Sequence, residues 1–293
     1  MLHAAAPVDG PLGWSWEPGA VASLVMIAAA YAAGAYRLRA RARLGRAVAR
    51  RGVAAFAAGW LVTAVALLSP LHALGERRFS AHMVQHELLM VVAAPLLVLA
   101  RPLPAMVWAL PRRARLSVAG WGTGRLWRGV WAVASAPVVA WWVHALAIWL
   151  WHVPAAYDAA LGSEALHALE HMSFLGAAVL YWWSVLRGGR GRSGVGVLSL
   201  FTTAVHTSVL GALLTFAPHP LYAAYVERGI GGVGAGVGAA AALADQQLAG
   251  LVMWVPAAAS YVIVALCLMV RWIREADARA ARAELTLARL TGG

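Results

Sequence analysis

The chain has 293 residues, of which 62% are hydrophobic and only 12% charged, about half the charged share of an ordinary soluble domain. That composition excludes a water-soluble fold and points to an all-α integral membrane protein. The formal charge of +12 comes from 24 basic residues, all of them arginine, and the single cysteine, Cys267, excludes an internal disulfide and a thiolate metal cage.

A bilayer core needs roughly 20 apolar residues per helix. Seven stretches qualify, at about 19–36, 53–70, 81–100, 130–151, 165–186, 195–217 and 247–270. The first lacks a basic leader and is followed by arginines, so it reads as a retained span rather than a cleaved signal. The second leads into His72. The third opens with "FSAHMVQHELLM" (79–90), which sets His82 and His86 four apart with Met90 one turn further on. Glu87 follows His86, but this is not the H-E-x-x-H order of a zinc peptidase.

The fourth span carries His144 and closes on "WHVP" with His152. The fifth opens with "HALEH", placing Glu170 between His167 and His171. The sixth holds His206 near its middle and precedes His219. The glycine-rich run 229–242 reads as a flexible outer loop, and Asp245 stands at the start of the seventh span. Pro95, Pro137 and Pro256 fall inside spans and predict kinks. The organisation expected is one transmembrane domain over 1–270 and a cytoplasmic basic helical tail over 271–293.

The arginines orient the bundle. Seven lie in 37–51, six in 101–128, three in 187–194 and five from Arg271 onward, whereas the alternate connections hold only Arg77, Arg78 and Arg228. Such alternation is the positive-inside pattern. It predicts an N-terminus outside and a cytoplasmic C-terminus. Charge distributed by topology also excludes a nucleic-acid surface, which needs one continuous basic face.

With that topology, and His3 in the N-terminal arm set aside, eight of the other nine histidines fall at or near the outer face. The pairs His82/His86 and His167/His171 each share a helix face at i, i+4 spacing, about 6 Å apart and within reach of one ion. Ionisable groups inside spans are costly and mark functional sites. Without thiols, imidazoles plus Met90 suit copper; zinc accepts the imidazoles equally well, and paired histidines also serve haem. "HALEH" fits H-x-x-E-H, a metallopeptidase pattern with the glutamate as base, but five residues on a histidine-rich helix are weak support for an enzyme.

Six stretches resemble the seven-span CtaG-type cytochrome c oxidase assembly factors. They are "FSAHMVQHELLM", "APLLVLARP" (94–102), "WHVPAAYDAAL" (151–161), "HALEHMSFL" (167–175), "PLYAAY" (220–225) and "DQQLAGLVMWVPA" (245–257). The resemblance implies a factor in a bacterial plasma membrane, with cytochrome c oxidase subunits and the lipid bilayer as partners, acting in copper insertion without turnover chemistry. It places the family's histidines on His82, His86, His152, His167 and His171, with its acidic residue on Asp245. Met90, Glu170 and His144 are auxiliary candidates, and a site that hands on its metal is expected to be open to the outside. A haem- or zinc-binding membrane redox protein or hydrolase, and a metal-free scaffold for oxidase subunits, are the competing readings.

Overall fold

The computed structural model describes residues 13–41, 46–187, 193–227 and 235–291. His3, parts of the basic 37–51 and 187–194 connections, Arg228, and 229–234 of the glycine-rich segment lie outside the described residues. Among the described residues every regular element is helical. In chain order they run α1 (Pro18–Arg41), α2 (Arg46–Leu68), α3 (Pro70–Gly75), α4 (Phe79–Glu87), a π-helical stretch (Leu88–Ala93), α5 (Ala94–Ala100), α6 (Pro102–Ala109), α7 (Arg112–Thr123) and α8 (Arg125–Ala134). There follow α9 (Pro137–Trp151), α10 (Pro154–Leu161), α11 (Glu164–Arg187), α12 (Ser193–Thr215), α13 (Ala223–Glu227) and α14 (Ala235–Thr291).

Among the described residues five helical stretches are long and apolar enough to cross a membrane: Pro18–Ala40, Arg50–Leu68, Phe79–Ala100, Ser193–Thr215 and Gly238–Arg282. A sixth forms if α8 and α9, bent by 62°, are one broken span. The expected seventh is α11, whose 24 residues reach about 36 Å. Its first two turns carry Glu164, His167, Glu170 and His171, and it is not among the stretches that qualify on length and apolarity.

The three prolines act differently. Pro137 restarts the chain after the 62° bend, while Pro256 is absorbed within continuous α14. Before Pro95 the helix widens into the π stretch, with Ala94 N–H donating to the Leu89 carbonyl, five residues back. A proline ring crowds the carbonyl four residues before it, and one wide turn relieves that contact. The widened turn frees the Met90 carbonyl, which accepts a hydrogen bond from Trp182 Nε1 at 2.9 Å.

Residues 235–242, expected as loop, instead form the first turns of α14. The alanines of "GAAAALAD" outweigh the flanking glycines as helix formers. The basic tail is likewise continuous with this helix.

Burial is inverted relative to a soluble protein. The interior holds His82, Gln85, His86, His144, Glu170, Thr203 and Thr207, whereas Leu146, Leu150, Leu198, Phe201, Leu213 and Ile263 face outward. Large outward apolar area is what a lipid solvent tolerates. The main core gathers Phe79, Met83, Phe174, Tyr181, Trp182, Leu200 and Tyr261 around α4, α11, α12 and α14. A smaller one joins Tyr31, Phe56, Ala100 and Ala105 on α1, α2, α5 and α6. Helices α12 and α14 cross at glycines: a Cβ on Gly250 would stand 2.6 Å from the Gly211 carbonyl oxygen. Small residues of this kind let transmembrane backbones touch.

Candidate metal centre

Helix α4 begins without a capping side chain of its own, since Arg78 at its N-cap makes no such bond. Asp245 on α14 supplies it: Ser80 N–H donates to Oδ2 at 3.2 Å and Ser80 Oγ–H to Oδ1 at 2.5 Å. A carboxylate at a helix N-terminus satisfies orphan donors and the helix dipole together. Asp245 therefore anchors the helix that carries the first histidine pair.

From that anchor, the i, i+4 spacing sends His82 and His86 to the same buried face, and their Nε2 atoms lie 2.7 Å apart. Opposite them, α11 presents His167, Glu170 and His171. Ring centroids are separated by 5.2 Å for His82–His167, 5.6 Å for His82–His171 and 5.4 Å for His86–His171. Glu170, 1% exposed, straddles the first pair: Oε2 is 3.7 Å from His82 Nε2 and Oε1 is 3.7 Å from His86 Nε2. Neither distance is a hydrogen bond, and both carboxylate oxygens lack a hydrogen-bond partner.

His72, which has no i, i+4 histidine partner to rank it with the others, completes the cluster. Ser69 caps α3 through Leu71 N–H, and Pro70 starts the helix, so the chain turns back over α4. His72 then stacks on His167 at 5.3 Å, while Gln85 Nε2 lies 3.0 Å from its Nδ1. Gly75 permits that approach: a Cβ there would sit 3.1 Å from Gln85 Oε1 and 3.3 Å from His82 Cα. The signal available was the "SPLH" restart beyond span 2, not the histidine alone.

Three overlapping donor sets result: His72/His167/His171, His82/His86/His171 and His82/His167/Glu170, each with ligand atoms within 4.8 Å of one another. Two bonds of about 2.1 Å reach at most about 4.2 Å between ligand atoms, so 3.7 Å already suits one ion and the widest pairs must close by about 0.6 Å. The His82–His86 pair must open instead, because tetrahedral ligands at that bond length stand about 3.4 Å apart. Rotamer adjustments of this size fit an imidazole and carboxylate ion site.

The remaining candidates lie elsewhere. His152 stands outside these sets; its Nδ1 is 2.7 Å from the Ile148 carbonyl oxygen and its Nε2 is 3.5 Å from Met83 Sδ. Burial holds its imidazole down to about 4, against a smaller opposing effect of the Ile148 bond. Met90 lines a small cavity with His86 and His152. His144 is buried against Tyr181, with ring centroids 4.6 Å apart. His206 accepts from Trp149 Nε1 at 3.3 Å, and His219 is exposed.

A tyrosine layer roofs the centre. Tyr225 donates to the Gly75 carbonyl at 2.9 Å and Tyr222 to the His152 carbonyl at 3.0 Å, while Tyr157 and Tyr225 hydroxyls meet at 3.1 Å. Asp158 accepts from Ala223 and Ala224 N–H at 3.3 and 3.2 Å, capping α13. The "WHVPAAYDAAL" and "PLYAAY" stretches are thus the two halves of one lid. Burial, then the neighbouring Tyr225, pushes the Tyr157 phenol well above its usual range, and burial raises Tyr222 as well. Both stay protonated as hydrogen-bond donors. The cluster is consequently more enclosed than an open outer site, with partly exposed His72 at its edge.

Fold and site together define a multi-pass helical membrane protein with a buried histidine–carboxylate centre at one end of its bundle. Residues 29–275 match the family model of the cytochrome c oxidase caa3 assembly factor, Caa3_CtaG. The chain belongs to that family. No curated protein and no solved structure matches it.

Proposed function

We propose that this assembly factor handles copper for a cytochrome c oxidase, binding the ion at the His82/His86/His167/His171/Glu170 cluster and aiding its insertion. The single observation that carries the reading is Glu170, a buried carboxylate with both oxygens unpartnered, set 3.7 Å from two imidazole nitrogens. A buried polar group without partners is costly, and a cation between it and the imidazoles would remove that cost. His72 joins as a fifth imidazole at the rim. The ion is cargo, so the chain's own part is to bind, orient and release it, with no turnover chemistry.

The topology in this reading is seven crossings, with α11 as one of them, the N-terminus outside and the C-terminus in the cytoplasm of a bacterial cell. The alternating arginines support it. It places the centre at the outer face, with residues 1–270 as the membrane domain and 271–293 as the cytoplasmic tail. The partners are oxidase subunits and lipid.

Zinc is the second reading, because an all-nitrogen-and-oxygen donor set accepts it as readily. Haem is disfavoured by the packing, since rings from α4 and α11 with centroids 5.2–5.6 Å apart leave no slot for a macrocycle. Elemental analysis of the purified protein separates copper from zinc. His82→Ala and His171→Ala should each abolish metal retention and lower the copper content of the oxidase. Normal oxidase copper in cells lacking the factor sinks the proposal.

A further inference from the structure

Below the histidine–carboxylate centre lies a cavity of about 20 Å³, room for about one water-sized particle. Its wall includes Met83, Met90 and Met253 with His86, His152 and Glu87. Three of the chain's eight methionines therefore meet two imidazoles and a carboxylate around one small space. Met83 is 1%, Met253 5% and Met90 7% exposed, and they come from α4, the π stretch and α14.

Methionine is a common filler of irregular cores, and filling alone would explain three thioethers. It does not explain His152. The Ile148 carbonyl can only accept, so Nδ1, 2.7 Å away, carries the proton. Nε2 of the neutral ring then presents its lone pair to Met83 Sδ at 3.5 Å, and a thioether sulfur is itself an electron-pair donor. Two donors face each other with no proton between them. The separation also fits shared ligation: bonds of about 2.0 Å to nitrogen and about 2.3 Å to sulfur at a tetrahedral angle place the two atoms about 3.5 Å apart. A backbone bond that fixes the tautomer of a ligating histidine is the usual outer support of such sites.

We infer that this cavity is a second metal subsite, a thioether and imidazole site for Cu(I), formed by Met83, Met90, Met253 and His152 and joined to the upper cluster by His86. It deepens the copper reading and rests on it. Thioethers select the soft monovalent ion, whereas the imidazole–carboxylate set above suits borderline divalent ions. Glu87 lines the same wall and is the carboxyl that can ionise to balance a buried monocation. His86 contacts both spaces, with Nε2 beside His82 and its ring on the cavity wall, so it is the side chain the two subsites share.

The test uses the full-length protein in detergent, loaded anaerobically with Cu(I) and, separately, with Co(II) as an optical probe of the upper cluster. X-ray absorption of the Cu(I) form should show sulfur scatterers at about 2.3 Å. The near-isosteric variant M83L/M90L/M253L should lose that shell and bind Cu(I) at least tenfold more weakly, with Co(II) affinity within twofold of wild type. Met253→Leu alone, the mildest change, should weaken Cu(I) severalfold. Nitrogen and oxygen scatterers only in the wild type, or unchanged Cu(I) affinity in these variants, overturns the subsite. The combined variant H82Q/H171Q should lose Co(II) yet keep the copper–sulfur shell. Retention of Co(II) there overturns the upper cluster and leaves the thioether result to be read separately.

Discussion

The bond between Ser80 and Asp245 joins elements 165 residues apart in sequence and sets where the first histidine pair stands. Asp245→Ala strands a buried backbone N–H and a hydroxyl at the start of α4. Hydrogen bonds to a charged group are worth about 1.5–3 kcal/mol, and the loss of a negative charge at a helix N-terminus adds about 0.3–1 kcal/mol. We expect a destabilisation of about 2–3 kcal/mol. Asp245→Asn keeps an acceptor for the N–H while its amide donates to the hydroxyl, so only the charge is lost and about 1 kcal/mol is expected. Ser80→Ala paired with Asp245→Ala should show a coupling of about 1.5 kcal/mol in a double-mutant cycle. Steric trapping or pulse proteolysis in bicelles reads these free energies where thermal scans are irreversible. Divalent-metal affinity should fall in the same order as stability, because α4 frays from the end that bears His82. Additive effects of the two substitutions, or unchanged metal affinity in Asp245→Ala, refute the anchoring argument.

Other outcomes follow from single contacts. Gly250→Ala places a methyl against the Gly211 carbonyl and the Thr215 hydroxyl, both under 3 Å away, so α12 and α14 must part; a loss of about 1–3 kcal/mol is expected by the same proteolysis assay, with Gly176→Ala, whose methyl meets nothing and which should be no less stable than wild type, as the control. His152 takes a proton only near pH 4 in the fold but near 6.5 when unfolded, so it contributes stability that is complete above about 6.5 and lost as pH falls toward 4. That difference is worth about 3 kcal/mol, and His152→Gln should flatten the pH dependence of unfolding across this window. His72→Ala should weaken divalent-metal binding less than His82→Ala, since His72 sits at the rim, and a tenfold gap in Co(II) affinity between the two variants is the measurement to make.

Much of this architecture is legible from local pattern. The third, sixth and seventh apolar stretches become long helices because length and hydropathy alone decide them, and the i, i+4 histidine pairs land on buried faces because helical period does. What pattern could not reach depends on tertiary neighbours. Whether His82 and His171 share an ion or only a depth is a matter of how α4 packs on α11. His72 reaches the cluster through the fold-back of α3, which rests on Pro70 and Gly75, neither of which carries ligand chemistry. Asp245 acts through Ser80 on the helix that holds two of the histidines. His152 separates from the other four because "WHVP" ends α9 one level below the α4–α11 contact, beside Met83.

The same contrast explains why the polar interior does not collapse on itself. Three of the five imidazoles are held by something apolar or structural: Phe174 packs at 4.4 Å against His86, Tyr157 at 5.3 Å against His82, and Gln85 ties His72 to α4. These contacts limit how far the rings can swing, and His82 Nδ1, His86 Nδ1 and His171 Nε2 have no hydrogen-bond partner. In a lipid-facing bundle the alternative partners are scarce, so those unpaired donors and acceptors carry a cost that a bound cation would lower. A scaffold that used its spans only to grip another subunit has no use for that stored cost. Substituting Glu170 by glutamine tests the point. The amide can donate to His82 and accept from His86, relieving the unpaired oxygens, so the variant should be more resistant to proteolysis than wild type without metal, and it should lose the stabilisation that added metal gives the wild type.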